Sequence, residues 1–203
     1  MNKGILVVVS APSGCGKDTI VSKVSEIMED KCHTSISMTT RPMRKGETDG
    51  VNYYFVSKEK FETNIANGGI LEHTVYNGNY YGTPVSEVTD NLEKGKIVFL
   101  VIEVEGGENI KKLFPDACKI FIIPPSFEAL GKRLRNRGTE EEETVLGRLQ
   151  TAKEEIKRVS EYDYVVENDD LDKAVNDVIT IIKAERLKYK NMKNKVSEVI
   201  ENA

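Results

Sequence analysis

A glycine-rich stretch near the start of the chain has the residue types and the spacing of a phosphate-binding loop. The stretch from Ser10 to Thr19 reads SAPSGCGKDT; it follows five apolar residues, Ile5 to Val9, and precedes apolar positions at helical spacing. A strand that ends in such a loop and leads into a helix points several backbone N–H groups at one spot, beside the positive end of the helix dipole. We therefore expect phosphate to bind here. The alternative is a glycine-rich turn that only connects the strand to the helix.

The loop departs from the pattern G-x-x-x-x-G-K-[ST] at two positions, while Lys17 keeps the lysine that reaches the outer phosphates. Ala11 replaces the first glycine, a mild change where the backbone does not need a positive φ. Asp18 replaces the final hydroxyl residue; its carboxylate can ligate Mg²⁺ but adds negative charge near the phosphates, and Thr19 is the alternative Mg²⁺ ligand. The predicted phosphate-binding residues are Ala11, Pro12, Ser13, Gly14, Cys15, Gly16, Lys17, Asp18 and Thr19.

The composition is that of a globular chain and argues against several classes of protein. Its 203 residues are 39% apolar and 31% charged, which favours one domain with inserted subdomains. No apolar run approaches the ~20 residues that span a bilayer, and no basic-then-apolar leader is present, so we expect a cytoplasmic protein without membrane contact. A net charge of −4 argues against general affinity for nucleic acid. The 3 cysteines are widely spaced, which argues against disulfides and structural zinc.

Apolar runs along the chain predict a parallel sheet with helices on its faces. Apolar positions within 17–28 fall on one helical face, and the runs 97–102, 120–123 and 162–166 are typical of buried strands. Strands that alternate with helices imply a parallel α/β sheet with right-handed crossovers. The segment 34–40 has the alternation of one more strand.

The next part of the chain has a different character. Arg41 and Arg44 flank a proline that makes a helix improbable, so they lie either on a binding loop or on a solvated basic loop. Tyrosines and glycines gather in residues 47–84, where short strands and turns, including 77–78, are expected beside one short helix over 58–67. This region is predicted to be a small mixed subdomain.

The C-terminal half adds acids, arginines and an apolar stripe. Glu103 and Glu105 follow the run 97–102, beyond the carboxyl end of a strand, where open α/β sheets bind ligands. The segment 127–159 is mostly helical and is either a solvated charged face or a lid that closes over phosphates.

After residue 171 we expect one or two amphipathic helices. Their stripe must pack on the body of the protein or on another subunit of a homo-oligomer; it consists of Met192, Val196, Val199 and Ile200.

Taken together, these stretches resemble the guanylate kinase family, and the resemblance runs from the first strand to about residue 187. The distinguishing segments are SMTTRPMR at 37–44, GVNYYFVS at 50–57 and GNYYGT at 78–83, with RGTE at 137–140 and VENDD at 166–170 in support. The glycine-rich loop alone indicates only a nucleotide site. The second and third segments make the resemblance specific.

The resemblance implies an α/β fold of the P-loop nucleoside monophosphate kinase type. Such a fold has three layers around a central parallel sheet, an inserted mixed α/β GMP-binding subdomain and a helical lid. One guanylate-kinase-like domain would cover residues 1–203. Its parts would be the core at 1–36, 85–125 and 160–190, the GMP-binding subdomain at 37–84, the lid region at 126–159 and a helical tail at 191–203.

The activity implied by the resemblance is transfer of the γ-phosphoryl group of ATP, with Mg²⁺, to GMP or dGMP, giving ADP and GDP for purine nucleotide metabolism and GMP recycling. By resemblance, the residues that bind the GMP phosphate would be Ser37, Arg41, Arg44, Tyr53 and Tyr81. Those that bind guanine would be Glu72, Thr83 and Glu103, although Glu72 and Thr83 look like ordinary surface residues from sequence alone. The catalytic set would be Lys17, Arg41, Arg133, Arg137 and Arg148, and Asn168 would join the ATP site beside adenine.

Two positions depart from the family pattern, and two rival functions stay open. Val101 replaces an acid usual in the family and removes a contact toward Mg²⁺, and Glu103 replaces an aspartate with a carboxylate of longer reach. One rival is a guanylate-kinase-like scaffold domain that binds phosphorylated partners, but such domains typically lose the loop lysine and the lid arginines that this chain has. The other is an enzyme of similar fold that acts on a phosphorylated sugar, which would not need Glu72 and Thr83.

Overall fold

The structure is a computed structural model that describes residues 4–76, 78–136 and 142–201. The strands are β1 (Ile5–Ser10), β2 (Cys32–Thr34), β3 (Met38–Thr39), β4 (Tyr54–Phe55), β5 (Ile70–Tyr76), β6 (Asn79–Pro84), β7 (Ile97–Val101), β8 (Cys118–Ile123) and β9 (Tyr164–Glu167). The helices are α1 (Lys17–Met28), α2 (Lys58–Ala66), α3 (Val85–Glu93), α4 (Val104–Leu113), α5 (Phe127–Asn136), α6 (Glu142–Lys157), α7 (Leu171–Leu187) and α8 (Tyr189–Glu201).

The larger sheet has the strand order β2-β7-β1-β8-β9, and each neighbouring pair is parallel. All of β1 is buried because helices cover both faces of this sheet. Val7 and Val9 belong to an apolar cluster with α1 and α7, whereas Leu6 and Val8 belong to a second cluster with α3 and α4. The predicted α/β fold with a central parallel sheet is therefore confirmed. The ends of β1 and β7 meet at the same sheet edge, since they pair in parallel.

A smaller sheet of order β4-β3-β6-β5 lies in the inserted region. Its strand β3 is parallel to β4 and antiparallel to β6, so the sheet is mixed. Phe61 of α2 is fully buried, and its ring stacks on Tyr80 with the centroids 5.1 Å apart. A Cβ at Gly82 would lie 2.9 Å from the Phe61 ring, so close packing requires glycine in β6. Asn77, in the predicted turn between β5 and β6, lies outside the described residues.

The segment 34–40 is not a single strand, and the sequence prediction is wrong at this point. Its first part belongs to β2 of the larger sheet and its last part to β3 of the smaller sheet. Ser35 N still donates to Phe99 O at 2.9 Å, but the next amide, Ile36 N, donates to a carboxylate oxygen of Glu87 at 3.1 Å. A side chain thus ends the backbone ladder, and the chain crosses from one sheet to the other.

The C-terminal half supplies two pairs of helices. Helices α5 and α6 pack together, and residues 137–141 between them, which include the predicted catalytic residue Arg137, lie outside the described residues. Helix α7 ends at Leu187; the next residue, Lys188, has a ψ of 140°, which is not helical, so α8 is a separate helix. Val196, Val199 and Ile200 of α8 are exposed, so the described chain does not cover this stripe. Within the described ranges, no helix combines the length and the hydropathy needed to cross a membrane.

Candidate active site

The loop between β1 and α1 has the backbone shape of a phosphate-binding loop. Gly14 and Gly16 have φ angles of 93° and 84°, which strain residues with a side chain. A Cβ at Gly14 would lie 2.8 Å from Leu134 Cδ2, and one at Gly16 would lie 2.7 Å from Asn168 Nδ2. Ala11 is buried and does not belong to the residues with positive φ, so the loop keeps its shape with alanine there.

Asn168, just after β9, forms a hydrogen bond with this loop. Its side-chain Nδ2 donates to Cys15 O at 2.7 Å, and its backbone N donates to Ile123 O at 2.9 Å. Arg133 of α5 donates from Nη2 to Asn168 O at 2.7 Å. The loop, the end of β9 and the predicted lid region are therefore joined by hydrogen bonds at one residue. A contact between Asn168 and adenine stays a prediction, because the described contact of its amide group is to the loop.

Lys17 begins α1 and lies at the centre of the charged groups. Its Nζ is 3.4 Å from Glu103 Oε1, which follows β7. Burial alone would lower the pKa of Lys17, but the negative charges of Glu103 and Asp18 outweigh burial and raise it. The lysine is therefore fully cationic at neutral pH. The described contact of Glu103 is to this cation, and its predicted binding of guanine stays a prediction.

The residues predicted to bind the GMP phosphate come together in the inserted region. The Arg41 guanidinium carbon is 5.4 Å from the centroid of the Tyr53 ring, and the Tyr53 and Tyr81 rings are 5.9 Å apart. Burial raises the pKa of the Tyr53 phenol, and the charge of Asp18 on α1 adds to the increase. The phenol of Tyr53 is therefore close enough to the start of α1 for the charge of Asp18 to act on it. Ser37 is half-buried beside β3.

Glu47 belongs to this group, although the sequence analysis missed it. Arg41 donates from Nη2 to Glu47 Oε1 at 2.7 Å and from Nη1 to Oε2 at 3.0 Å. Arg44 donates its backbone N to Glu47 Oε2 at 2.7 Å, so one carboxylate shapes the whole arginine loop. This hydrogen bonding raises the pKa of Arg41 and lowers that of Glu47. The sequence signal that could have identified Glu47 is an acidic residue on the same short loop as two arginines.

Glu72 and Thr83 form a buried pair across β5 and β6, which rules out the surface interpretation of these residues. Thr83 Oγ1 donates to Glu72 Oε1 at 2.7 Å, and the residues are 0% and 7% exposed respectively. Glu72 Oε2 is buried and has no partner among the described residues. Burial raises the pKa of Glu72, and the Thr83 hydrogen bond only partly offsets this increase. The pair offers a free acceptor beside a hydroxyl.

The predicted lid region contributes two half-buried arginines, Arg133 of α5 and Arg148 of α6. Arg135 instead forms hydrogen bonds with Glu142 on the surface, so for this residue the interpretation as a solvated face is correct. Glu155 of α6 was missed. Its pKa is raised to about 7, mainly by burial and then by the charge of Glu103, while the charge of Lys17 opposes the increase. No sequence signal separates Glu155 from the other acids of α6.

The residues present fit an Mg²⁺ ion that arrives with a nucleotide. Among the described residues, no group of three or more His, Cys, Asp or Glu side chains could hold a metal alone. Mg²⁺ usually takes one or two carboxylates, substrate phosphates and waters, so Asp18 beside the phosphate loop is a suitable donor. Asp18 and Thr19 are both exposed in the first turn of α1, where a hydroxyl or a carboxylate could reach the ion. Val101 is packed against the apolar core and supplies no oxygen.

Known proteins match this sequence and fold over most of their length. A family model described as guanylate kinase matches residues 3–185. A guanylate kinase from Oceanobacillus iheyensis is 47% identical over 200 residues, which cover 98% of this chain and 97% of that protein. The crystal structure of guanylate kinase from Anaplasma phagocytophilum aligns with a TM-score of 0.78 at 34% identity, covering 94% of this chain and 90% of that chain. The SH3-kinase fragment of tight junction protein 3 shares the fold alone, with a TM-score of 0.51 at 15% identity over 92% of this chain and 59% of that chain. The chain belongs to the guanylate kinase family.

Proposed function

We propose that this chain transfers the γ-phosphoryl group of ATP to GMP and dGMP, giving the corresponding diphosphate and ADP. The observation that carries the proposal is the buried pair of Glu72 and Thr83, with one carboxylate oxygen that has no partner among the described residues. Guanine has donors at N1 and at the 2-amino group, which complement the acceptor oxygens of the Glu72 carboxylate that Thr83 holds in place. Adenine has an acceptor at N1 and lacks the 2-amino group. It would leave the buried carboxylate unpaired, which costs ~1–3 kcal/mol for a polar group and more for a charged one.

The GMP phosphate is assigned to the arginine and tyrosine cluster of the inserted region. A guanidinium binds a phosphate through two parallel N–H···O bonds, and phenol hydroxyls add further donors. Glu47 holds the Arg41 guanidinium in place before the phosphate arrives, so less side-chain entropy is lost on binding. The proposed phosphate ligands are Ser37, Arg41, Arg44, Tyr53 and Tyr81.

The phosphoryl group that moves between the nucleotides is assigned to the loop and the lid. Backbone N–H groups of the loop and the Lys17 ammonium neutralise the charge that spreads over the phosphoryl oxygens. Arg133, Arg148 and the undescribed Arg137 add positive charge from the lid side. In-line transfer needs no covalent intermediate, which agrees with a site that has no histidine nucleophile. Mg²⁺ bound to ATP supplies further charge neutralisation, with Asp18 or Thr19 as its protein ligand.

Closure of the two flanking regions would complete the reaction site. The GMP-binding subdomain and the lid lie on elements that leave and re-enter the parallel core, so each can move while the core stays fixed. Their closure over the nucleotides excludes water and so suppresses hydrolysis of ATP. The proposed setting is purine nucleotide metabolism and GMP recycling in the cytoplasm.

A coupled assay of ADP release tests the proposed function. The acceptors are GMP, dGMP, AMP, UMP and ribose 5-phosphate, each with ATP and Mg²⁺. A site built to hydrogen-bond its substrate rejects an analogue without those groups by roughly 10⁴-fold. We expect a preference of that order for GMP and dGMP over AMP. Turnover of ribose phosphate at the rate of GMP, or no turnover with any acceptor, would overturn the proposal.

A further inference from the structure

Glu87 lies where the chain enters and leaves the inserted region, and its carboxylate contacts each of the segments that meet there. Its Oε2 is 2.7 Å from His33 Nε2 and accepts a hydrogen bond from Ile36 N at 3.1 Å. Its Oε1 accepts a hydrogen bond from Tyr54 Oη at 2.8 Å. The Glu87 side chain is 14% exposed, so water competes little for these oxygens.

The partners of Glu87 belong to different parts of the molecule. His33 is on β2 of the larger sheet, Ile36 is in the link to the smaller sheet, and Tyr54 is on β4 of the smaller sheet. Glu87 itself is in the first turn of α3, just after the chain returns from the smaller sheet. One carboxylate therefore joins both sheets and both crossing points of the chain.

Short connections lead from these contacts to the proposed GMP ligands. Tyr54 N donates to Ser37 O at 2.9 Å, and Tyr54 directly follows Tyr53, whose ring contacts Arg41 and Tyr81. A shift of β4 or of the link would thus displace the proposed phosphate ligands relative to the core. Within the described ranges, the Glu87 carboxylate forms hydrogen bonds with these segments and not with the glycine-rich loop proposed to bind ATP.

We infer that Glu87 is a positioning residue that sets the placement of the GMP-binding subdomain on the core, acting through Tyr54 and the Ile36 amide. The inference rests on the proposed assignment of residues 37–84 to GMP. An ionised carboxylate can only accept, so it satisfies the amide, the phenol and a donating imidazole nitrogen together. A glutamine of the same shape would turn one acceptor into a donor and leave at least one of these donors unpaired.

The experiment compares Glu87→Gln and Tyr54→Phe with Glu93→Gln, which removes an exposed carboxylate from the end of the same helix. Titration calorimetry measures the affinity of each protein for GMP and, separately, for a non-hydrolysable ATP analogue with Mg²⁺. Steady-state kinetics measure KM for GMP and kcat, and thermal melting gives Tm.

We expect Glu87→Gln to weaken GMP binding by about tenfold, the effect of losing one charge-assisted hydrogen bond, with the affinity for the ATP analogue unchanged. KM for GMP rises while kcat at saturating GMP is kept. Tyr54→Phe loses several-fold in GMP affinity, and Glu93→Gln loses none. If Glu87→Gln does not fold, Tyr54→Phe tests the inference in its place. A several-fold loss of its GMP affinity supports the inference, and an affinity within twofold of the wild type contradicts it.

GMP affinity within twofold of the wild type in both variants would overturn the inference. Equal losses for GMP and for the ATP analogue would also overturn it, because that pattern shows a general loss of structure rather than misplacement of one subdomain. A wild-type protein that does not bind GMP would instead refute the proposed function, so the two failures are distinguishable.

Discussion

The two regions that we propose to bind nucleotides are built from different chemical groups. The loop after β1 presents backbone N–H groups, and its shape depends on Gly14 and Gly16 against buried neighbours. The inserted region presents side chains, which are held by hydrogen bonds between segments, such as Arg41 to Glu47 and Thr83 to Glu72. A backbone cradle suits any nucleotide phosphate, whereas side chains can distinguish one base from another. Rate and selectivity should therefore respond to different substitutions.

The largest effect is expected for Lys17→Ala at the backbone-built site. Removing the ammonium that neutralises the phosphoryl group should lower kcat by roughly 10³-fold or more, by analogy with loss of a transition-state donor. The fold should persist, since Lys17 contacts carboxylates rather than the apolar core. Lys23→Ala on the same helix is the control, because Lys23 pairs with Asp172 at the surface. Activity of Lys17→Ala within tenfold of the wild type would place the phosphate site elsewhere.

A more selective effect is expected for Glu72→Gln at the side-chain-built site. The amide cannot accept two guanine N–H groups as a carboxylate does, so kcat/KM for GMP should fall roughly 10- to 100-fold, while that for AMP changes less. The measurement is the ratio of the two kcat/KM values. Glu62→Gln, an exposed acid of α2, serves as the control. Comparable kcat/KM for GMP and AMP in the wild-type protein would contradict the assignment of the guanine site.

The same division explains which features could be predicted from the sequence. The loop and α1 depend on signals close together in the chain, and the predicted helix 17–28 matches the observed bounds. The break within 34–40 could not be predicted, because the Ile36 amide is taken by a side chain 51 residues away. In the sequence, Glu47 and Glu155 look like ordinary surface acids. Folding leaves Glu155 half-buried and brings Glu47 into contact with Arg41. Local sequence patterns thus predicted the helices and strands, whereas the surroundings of these charged side chains depend on long-range contacts that the patterns do not show.

A smaller effect is expected at the predicted Mg²⁺ ligands in the first turn of α1. If the Asp18 carboxylate ligates the ion directly or through water, Asp18→Ala should raise the Mg²⁺ concentration needed for half-maximal activity several-fold, and Thr19→Val should change it little. The measurement is a Mg²⁺ titration at fixed ATP. The reverse order of the two variants would assign the ligand to Thr19 and make Asp18 a residue that only modifies the local charge.

The smallest effect is expected at Glu155 of α6, in the proposed lid, where the charges of Lys17 and Glu103 act on its carboxyl group. Burial, with the charge of Glu103, raises the pKa of Glu155 from 4.5 to about 7, so the folded state favours the neutral carboxyl. Its contribution to stability is therefore complete below pH 4.5 and is lost as the pH rises through about 7. Glu155→Gln keeps the neutral form at every pH, which should stabilise the protein at pH 8 by ~1 kcal/mol after allowance for solvent screening. That free energy corresponds to a rise of about 3 °C in Tm for a chain of this size.

Thermal melting from pH 4.5 to 8 measures this difference directly. The Tm gap between Glu155→Gln and the wild type should widen as the pH rises from 4.5 to about 7 and then stay constant up to pH 8. It should close towards low pH, because both proteins are then neutral at this position. Glu154→Gln is the matched control, since this neighbouring acid is exposed and bonds only Lys157 among its described partners. Parallel Tm profiles for Glu155→Gln and the wild type would mean that Glu155 is already ionised in the fold. Helix α6, in the proposed lid, would then add a full negative charge near Lys17 and Glu103. The proposed phosphate site would be less cationic, and its contrast with the base-selective site would need revision.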